Sequence, residues 1–493
     1  MSDITIRPKN NVYCKVDGDV GIMQEISDYF TFEQPGARFM PQYRAKLWDG
    51  KVRLYNMFSQ ELYVGLIPYV KAFAATNNYT VENTIPPLPD PYIDVAEWLQ
   101  TLNLRGHGKP IDIRDYQIDA VKHAIYNGRT LLLSPTGSGK SLIIYSLVRY
   151  HQTKGRRQLI LVPTTSLVEQ LYADFKDYSS ANGWKTTENV HRIYSGAEKS
   201  NEWPIVISTW QSLYKLPPKF FSSFDVVYGD EAHLFKAKSL TGILNKMPDC
   251  AYRIGTTGTL DGTQTHKLVL EGIFGAVHRV TTTKQLIKNE QLANLDITCV
   301  TLEYTDEERK NANKFTYQEE MDFLVTHERR NRFIRNLTLK QEGNTLVLFQ
   351  FVEKHGKHLY ADIAARAADG RKVFFVAGST DTDTREQIRH ITEKETNAII
   401  VASYGTFSTG INIRNLHNVI FASPGKSKIR NLQSIGRGLR TSDSKKKCNL
   451  FDISDDLSWK SKKNYTLLHL AERIKVYNEE HFEYKLVRVP LAA

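Results

Sequence analysis

The run Ser134-Pro-Thr-Gly-Ser-Gly-Lys-Ser141 follows the apolar stretch Thr130–Leu133 and precedes a second one, Leu142–Val148. That is the strand, loop and helix setting of a phosphate-binding loop. In it Gly137 and Gly139 let backbone N–H groups converge on anionic oxygens, with Pro135, Thr136 and Ser138 completing the cradle. Lys140 then reaches the outer phosphates, and the Ser141 hydroxyl is a magnesium ligand. Ser134 stands where the G-x-x-x-x-G-K-[ST] pattern has its first glycine. Some 90 residues later a second apolar stretch, Val226–Tyr228, leads into Asp230-Glu231-Ala-His233. Two carboxylates there divide the work of phosphoryl transfer: Asp230 holds magnesium and Glu231 orients and deprotonates the attacking water. Alone, each motif also reads as an ordinary turn or a solvated acidic pair, but their separation suits one nucleotide-binding α/β domain.

The elements that position these groups follow from hydrophobic periodicity. Thr130–Leu133, Leu159–Val162, Ile205–Ser208 and Val226–Tyr228 read as buried parallel strands separated by helical patterns. The alternation resumes with 344–349, 372–376, 398–402 and 419–422, so two α/β domains stand in tandem. Pro86, Pro87, Pro89, Pro91, Gly106, Gly108 and Pro110 punctuate the chain before them. The expected organisation is a small α+β domain over 1–85, a linker over 86–110, α/β domains over 111–295 and 296–455, and a helix with a tail over 456–493 packing on the second. No repeat of 20 to 50 residues is visible, though the halves can share a fold without sharing sequence.

Composition bounds the class. A chain of 493 residues with 41% hydrophobic and 24% charged residues is globular rather than disordered or collagenous. Its net charge of +11 favours a polyanionic partner. The four cysteines are scattered, which argues against zinc and disulfides and for buried, inert thiols. With no long apolar run and no basic-then-apolar leader, the chain is expected to be cytoplasmic, in the host cell if it is phage-encoded.

With Asp-Glu-Ala-His beside this loop the chain resembles the superfamily-two helicases and translocases, whose fold is a pair of RecA-like domains. Further motifs match in order over about residues 111–455. Gln117 of Arg114-Asp-Tyr-Gln117 resembles the adenine-reading glutamine, a carboxamide able to pair with N6 and N7 together; it also reads as a polar residue opening a helix. Pro163 and Thr164, and Thr209 and Gln211, lie in loops resembling those that hold a nucleic-acid backbone, although both also read as helix caps. Thr256-Thr-Gly-Thr-Leu260 resembles the motif coupling the two domains. In the second domain Phe351, Gly378 and Thr406 resemble backbone contacts and Gly410 a nucleotide contact, while Asn412 stands where many relatives have Asp. Gln433-Ser-Ile-Gly-Arg-Gly-Leu-Arg440 resembles the helix whose arginines, here Arg437 and Arg440, reach the γ-phosphate; such groups are worth about 10³ to 10⁵ in rate.

Arg38 to Arg53 resembles the amino-terminal domain of the UvsW-type helicases of T-even phages. It carries Arg38, Arg44, Lys46, Lys51 and Arg53 against Asp49, interleaved with Phe39, Tyr43 and Trp48. Cations beside aromatics suit phosphates and unstacked bases, although Trp48 also fits the core of a small hairpin. A second basic block runs from Lys426 to Lys463. The resemblance implies an ATP- and Mg²⁺-dependent DNA helicase or translocase that remodels junctions, stalled forks and R-loops, acting as a monomer on branched or duplex DNA, with RNA in hybrids. An RNA helicase of the same superfamily and a nucleotide-gated clamp that does not unwind remain open alternatives.

Overall fold

The computed structural model describes residues 2–86, 93–194, 196, 198–236, 238–260, 263–406, 413, 415–423 and 447–491. They form two compact units, 1–134 with 139–280, and 135–138 with 281–493.

The first unit begins with a four-stranded sheet in the order Glu61–Tyr63, Tyr13–Gly18, Ile4–Pro8, Val81–Asn83. Ile4, Ile6, Cys14 and Val16 alternate inward with the period of two that a half-buried strand requires. They bury against Ile26 of the helix Val20–Tyr29 and Val70 of the helix Ile67–Thr76. A hairpin of Thr31–Glu33 and Lys51–Arg53 carries the basic segment.

This layer shares its core with the α/β sheet that follows. Leu268 of the helix Gln264–Phe274 belongs to the amino-terminal cluster, and the Tyr69 hydroxyl donates to Glu271 at 2.6 Å. Arg129 donates to the Asn11 carbonyl at 2.5 Å. A Cβ on Gly65 would lie 1.9 Å from the Glu271 carbonyl oxygen, so the backbones touch. The segment 86–110 is likewise more than the linker expected from its prolines. Val95 and Leu99 of the helix Val95–Thr101, with Leu102 and Leu104, are buried in the core of the first α/β domain. Their helical spacing outweighs the punctuation around them.

That domain is a seven-stranded, wholly parallel sheet in the order Val190–Ile193, Ile205–Thr209, Gln158–Val162, Val226–Asp230, Tyr252–Thr257, Arg129–Leu133, Val277–Arg279. Near-continuous apolar strands covered by helices on both faces are the signature of such sheets. The second unit repeats the plan: Val373–Val376, Ile399–Ser403, Thr345–Phe349, Asn418–Phe421, Lys447–Asp456, Asn294–Glu303, Tyr484–Pro490, all parallel. The carboxy-terminal helix, Tyr465–Glu479, buries Leu470, Val476 and Tyr477. The tail beyond it becomes the last strand of the second sheet, a pairing that periodicity alone does not announce.

Candidate nucleotide and nucleic-acid sites

The phosphate loop leaves the strand Arg129–Leu133, and the Ser134 N–H donates to the Thr257 carbonyl at 2.8 Å. The Ser138 hydroxyl donates to the Pro135 carbonyl at 2.6 Å, which closes the turn. Gly137 and Gly139 have φ of 85° and 84°, a region open to glycine at little cost. A side chain at Gly139 is excluded twice over, because its Cβ would lie 2.3 Å from Nε2 of Gln117. Gly139 is the cap of the helix Lys140–Thr153 and offers no side-chain partner to the first N–H groups, the end of a helix that attracts anions. Lys140 Nζ bends back to the Ser134 carbonyl at 3.3 Å. The Ser141 hydroxyl lies 2.8 Å from that of Tyr178, the last residue of the helix Thr165–Tyr178. Gln117 is buried against the loop, and its Oε1 accepts from the Arg114 N–H at 3.1 Å, so its carboxamide opens the helix Asp115–Asn127 while touching the phosphate cradle.

The carboxylates end the strand Val226–Asp230. Gly229 is dictated by packing: a Cβ there would lie 2.6 Å from the Phe274 ring. Asp230 accepts from the Thr256 hydroxyl at 2.7 Å. His233 Nδ1 lies 3.1 Å from the Thr257 hydroxyl and 3.3 Å from Glu231 Oε2. Adjacent threonines of the neighbouring strand thus hold both halves of the acidic motif. Glu231 has φ of 51°, a conformation that a non-glycine residue keeps only where its surroundings enforce it. Burial, and then the charge of Glu231, push the Asp230 carboxyl above its ordinary range, while Lys140 and the Thr256 hydrogen bond pull it back. Phosphate loop and carboxylates are therefore within electrostatic reach. Hydroxyl and carboxylate oxygens, with a lysine beside them, are a donor set suited to a hard divalent cation and a polyphosphate.

The expected nucleic-acid residues of the first α/β domain come together at the carboxyl ends of two paired strands, where Val162 is in register with Thr209. Thr164 caps the helix Thr165–Tyr178, accepting from the Leu167 N–H at 3.3 Å. Thr209 is buried beside the Ser212 hydroxyl at 2.9 Å, and exposed Gln211 donates to the Pro163 carbonyl at 3.2 Å. In the second unit Phe351, Gly378 and Thr406 follow the adjacent strands Thr345–Phe349, Val373–Val376 and Ile399–Ser403. Phe351 is half-buried and Gly378 exposed, whereas Thr406 is buried with its hydroxyl 2.8 Å from Ser403 Oγ. Gly410, Asn412, Arg437 and Arg440 lie outside the described residues.

In the amino-terminal layer Arg38, Arg44, Lys46, Lys51 and Arg53 are all exposed. Trp48 is half-buried and its indole N–H donates to the Lys51 carbonyl at 2.9 Å, so it anchors the segment that carries the cations. Arg53 pairs with Asp49 at 2.5 Å and holds that carboxyl down to about 2. Much of the second basic block, 424–446, is outside the described residues. Asp452 and Asp455, which offset its charge in a linear count, are fully buried against Arg473 and Arg330 and contribute nothing to a surface.

Three groups escape a reading by motif. Thr257 and His233 occur inside recognised motifs, but only the sheet pairing shows Thr257 meeting His233, whose ring lies against Glu231. Tyr178 carries no signal in the sequence, 37 positions from the serine it meets.

Residues 3–83 match the family described as DNA helicase UvsW, N-terminal. Residues 110–262 match type III restriction enzyme, res subunit, and 328–442 match the helicase conserved C-terminal domain. The ATP-dependent DNA helicase uvsW of Enterobacteria phage T4 is 34% identical over 99% of this chain and 100% of its own length. The crystal structure of T4 UvsW aligns with 99% of this chain and 100% of its own at 32% identity and a TM-score of 0.52. A fragment of a putative HsdR subunit of a type I restriction enzyme from Vibrio vulnificus shares the fold, with a TM-score of 0.58 at 19% identity over 81% of this chain and 72% of its own. The tandem RecA-like sheets, the phosphate loop with its paired carboxylates and this end-to-end similarity make the chain a member of the UvsW family of DNA helicases.

Proposed function

We propose that the chain is an ATP-driven DNA helicase and translocase that remodels branched DNA, and that it works in the host cytoplasm as a monomer. The observation that carries the reading is the hold of Thr256 on Asp230 and of His233, itself against Thr257, on Glu231 beside the phosphate loop, because hydrolysis needs both carboxylates in place before substrate arrives.

Lys140 and the backbone N–H groups around Gly137 and Gly139 bind the phosphates of ATP. Gln117 stands where the adenine is expected, and Ser141 and Asp230 would hold the magnesium ion, which supplies charge neutralisation at the transferring phosphoryl group. Glu231 orients the attacking water and takes its proton. Arg437 and Arg440 of the second α/β domain are the arginines that meet developing charge. Pro163, Thr164, Thr209 and Gln211 in one domain, and Phe351, Gly378 and Thr406 in the other, line strand ends that track the DNA backbone. The exposed cations around Trp48 supply a local polyanion-binding face in an amino-terminal segment that as a whole is close to neutral.

The test is ATPase activity of the full chain with a four-way junction, duplex DNA, single-stranded DNA and RNA. Junction DNA is expected to stimulate turnover most. Stimulation by RNA above every DNA would overturn the choice of substrate, and hydrolysis without strand separation on any of them would overturn the motor.

A further inference from the structure

We propose that the amino-terminal layer holds a pocket for one unpaired nucleotide of branched DNA, with Phe58 as its stacking platform. The inference rests on the reading of this layer as a DNA-contacting face and adds to it a specific site.

A cavity of about 560 Å³ opens between the helix Val20–Tyr29 and the turn after the strand Lys51–Arg53. That volume lies within the range of small-ligand sites, about 300 to 1,000 Å³, and accommodates a nucleotide. Its walls divide by chemistry. Lys51 and Arg53 bring exposed cations to one side, suited to a phosphodiester. The exposed ion pair of Arg53 with Asp49 is of the weak kind that exchanges readily for a phosphate contact. Opposite them Gln24 donates to Asp28 at 3.2 Å, so a carboxamide and a carboxylate face the cavity with the donor and acceptor character that base edges recognise.

Phe58 closes the rim with its side chain wholly exposed. Its position is enforced: Asn56 Oδ1 accepts the N–H groups of Phe58 and Ser59, each at 3.0 Å, and Lys15 Nζ holds the Ser59 carbonyl at 2.5 Å. An aromatic ring presented to water on a pinned turn, between cations and base-reading groups, is the arrangement that stacks an unpaired base. A paired base within a duplex offers no free face to it, so the pocket selects the branch point.

The experiment uses the full chain and two probes: a synthetic DNA fork with 2-aminopurine at the unpaired position next to the junction, and a blunt duplex of equal length. Phe58→Ala should weaken fork binding about 10-fold, leave duplex binding within about 2-fold and lose the quenching of 2-aminopurine, while Phe58→Trp retains all three. Unaltered fork binding and quenching in Phe58→Ala, or equal losses on fork and duplex, overturns the pocket. Arg38→Ala with Arg44→Ala, outside the cavity, separates the two levels of the argument. If that pair weakens binding to both probes and Phe58→Ala weakens neither, the pocket fails and the DNA-contacting face stands. If neither substitution set changes binding, both fall.

Discussion

The two seven-stranded sheets have one topology and opposite chemistry. Numbered along the chain within each sheet, the strands run third, fourth, second, fifth, sixth, first, seventh in both. A parallel sheet opens a crevice at its carboxyl edge, so each domain offers the same place for a ligand. At the exit of the first strand, one sheet has a helix capped by Gly139, without acidic residues in its first turn. The other has Thr305 and Glu308, which exchange hydrogen bonds at 3.3 and 3.0 Å, behind a first turn of Asp306, Glu307 and Glu308. The first helix end is left open to an anion; the second is satisfied and negative.

Farther along the edge, Asp230 is half-buried beside Glu231 and accepts from the Thr256 hydroxyl, whereas Asp455 and Asp452 are fully buried against the guanidinium groups of Arg330 and Arg473, each at 2.8 Å. A carboxylate with an internal cation is a structural element. One with a like charge beside it is suited to take up a metal ion or a proton. Shared topology thus supplies two equivalent crevices, and a handful of side chains decides which one does chemistry.

The largest expected effect falls on the first crevice alone. Glu231→Gln should lower ATP turnover about 10³-fold while nucleotide binding changes less than about 2-fold, because the base is removed and the phosphate cradle is not. Single-turnover hydrolysis and nucleotide titration together check it, and substantial turnover would remove Glu231 from the mechanism. The second crevice breaks differently. Asp455→Ala leaves Arg330 buried without its carboxylate and should cost about 3 to 5 kcal/mol in urea unfolding of the second domain. A loss below about 1 kcal/mol would show that the pair is dispensable.

Tyr178→Phe sharpens the contrast at smaller scale. The Tyr178 hydroxyl lies 2.8 Å from that of Ser141 and would fix the serine that we propose holds magnesium, so its loss should raise the magnesium concentration for half-maximal nucleotide binding about 10-fold. Binding measured in chelator should not change. Ser141→Ala is the reference: if it shifts the magnesium requirement and Tyr178→Phe does not, the tyrosine serves only packing.

The smallest effect concerns repulsion at the acidic motif. An Asp230 carboxyl raised above its ordinary value favours the protonated native state. That contribution is complete below the ordinary pKa of about 4 and is lost as pH rises through the raised native value. Asp230→Asn should therefore raise the Tm of the nucleotide-free protein by about 2 °C or more at pH 8 and by less at pH 5. A Tm difference independent of pH would dispose of the repulsion.

Gly137 and Gly139 of the glycine-rich loop, the Asp230-Glu231 pair, the tandem α/β plan and eight of its strands are legible in the linear order of residues, since each depends on local spacing: a loop between strand and helix, a run of apolar residues bounded by polar turns. Tyr252–Thr257, Lys447–Asp456 and Tyr484–Pro490 carry little local signal, because what makes them strands is the neighbour they pair with, as with Glu303 opposite Pro490. Distance along the chain hides the rest. Thr257 reaches His233 and Tyr178 reaches Ser141 only because parallel crossovers return remote segments to one edge of the sheet, and Val95 and Leu99 leave the proline-rich segment for the core only because a hydrophobic surface awaits them. Residue types set which chemistry was available to this protein; the packing of one strand on another selected the crevice in which it is carried out.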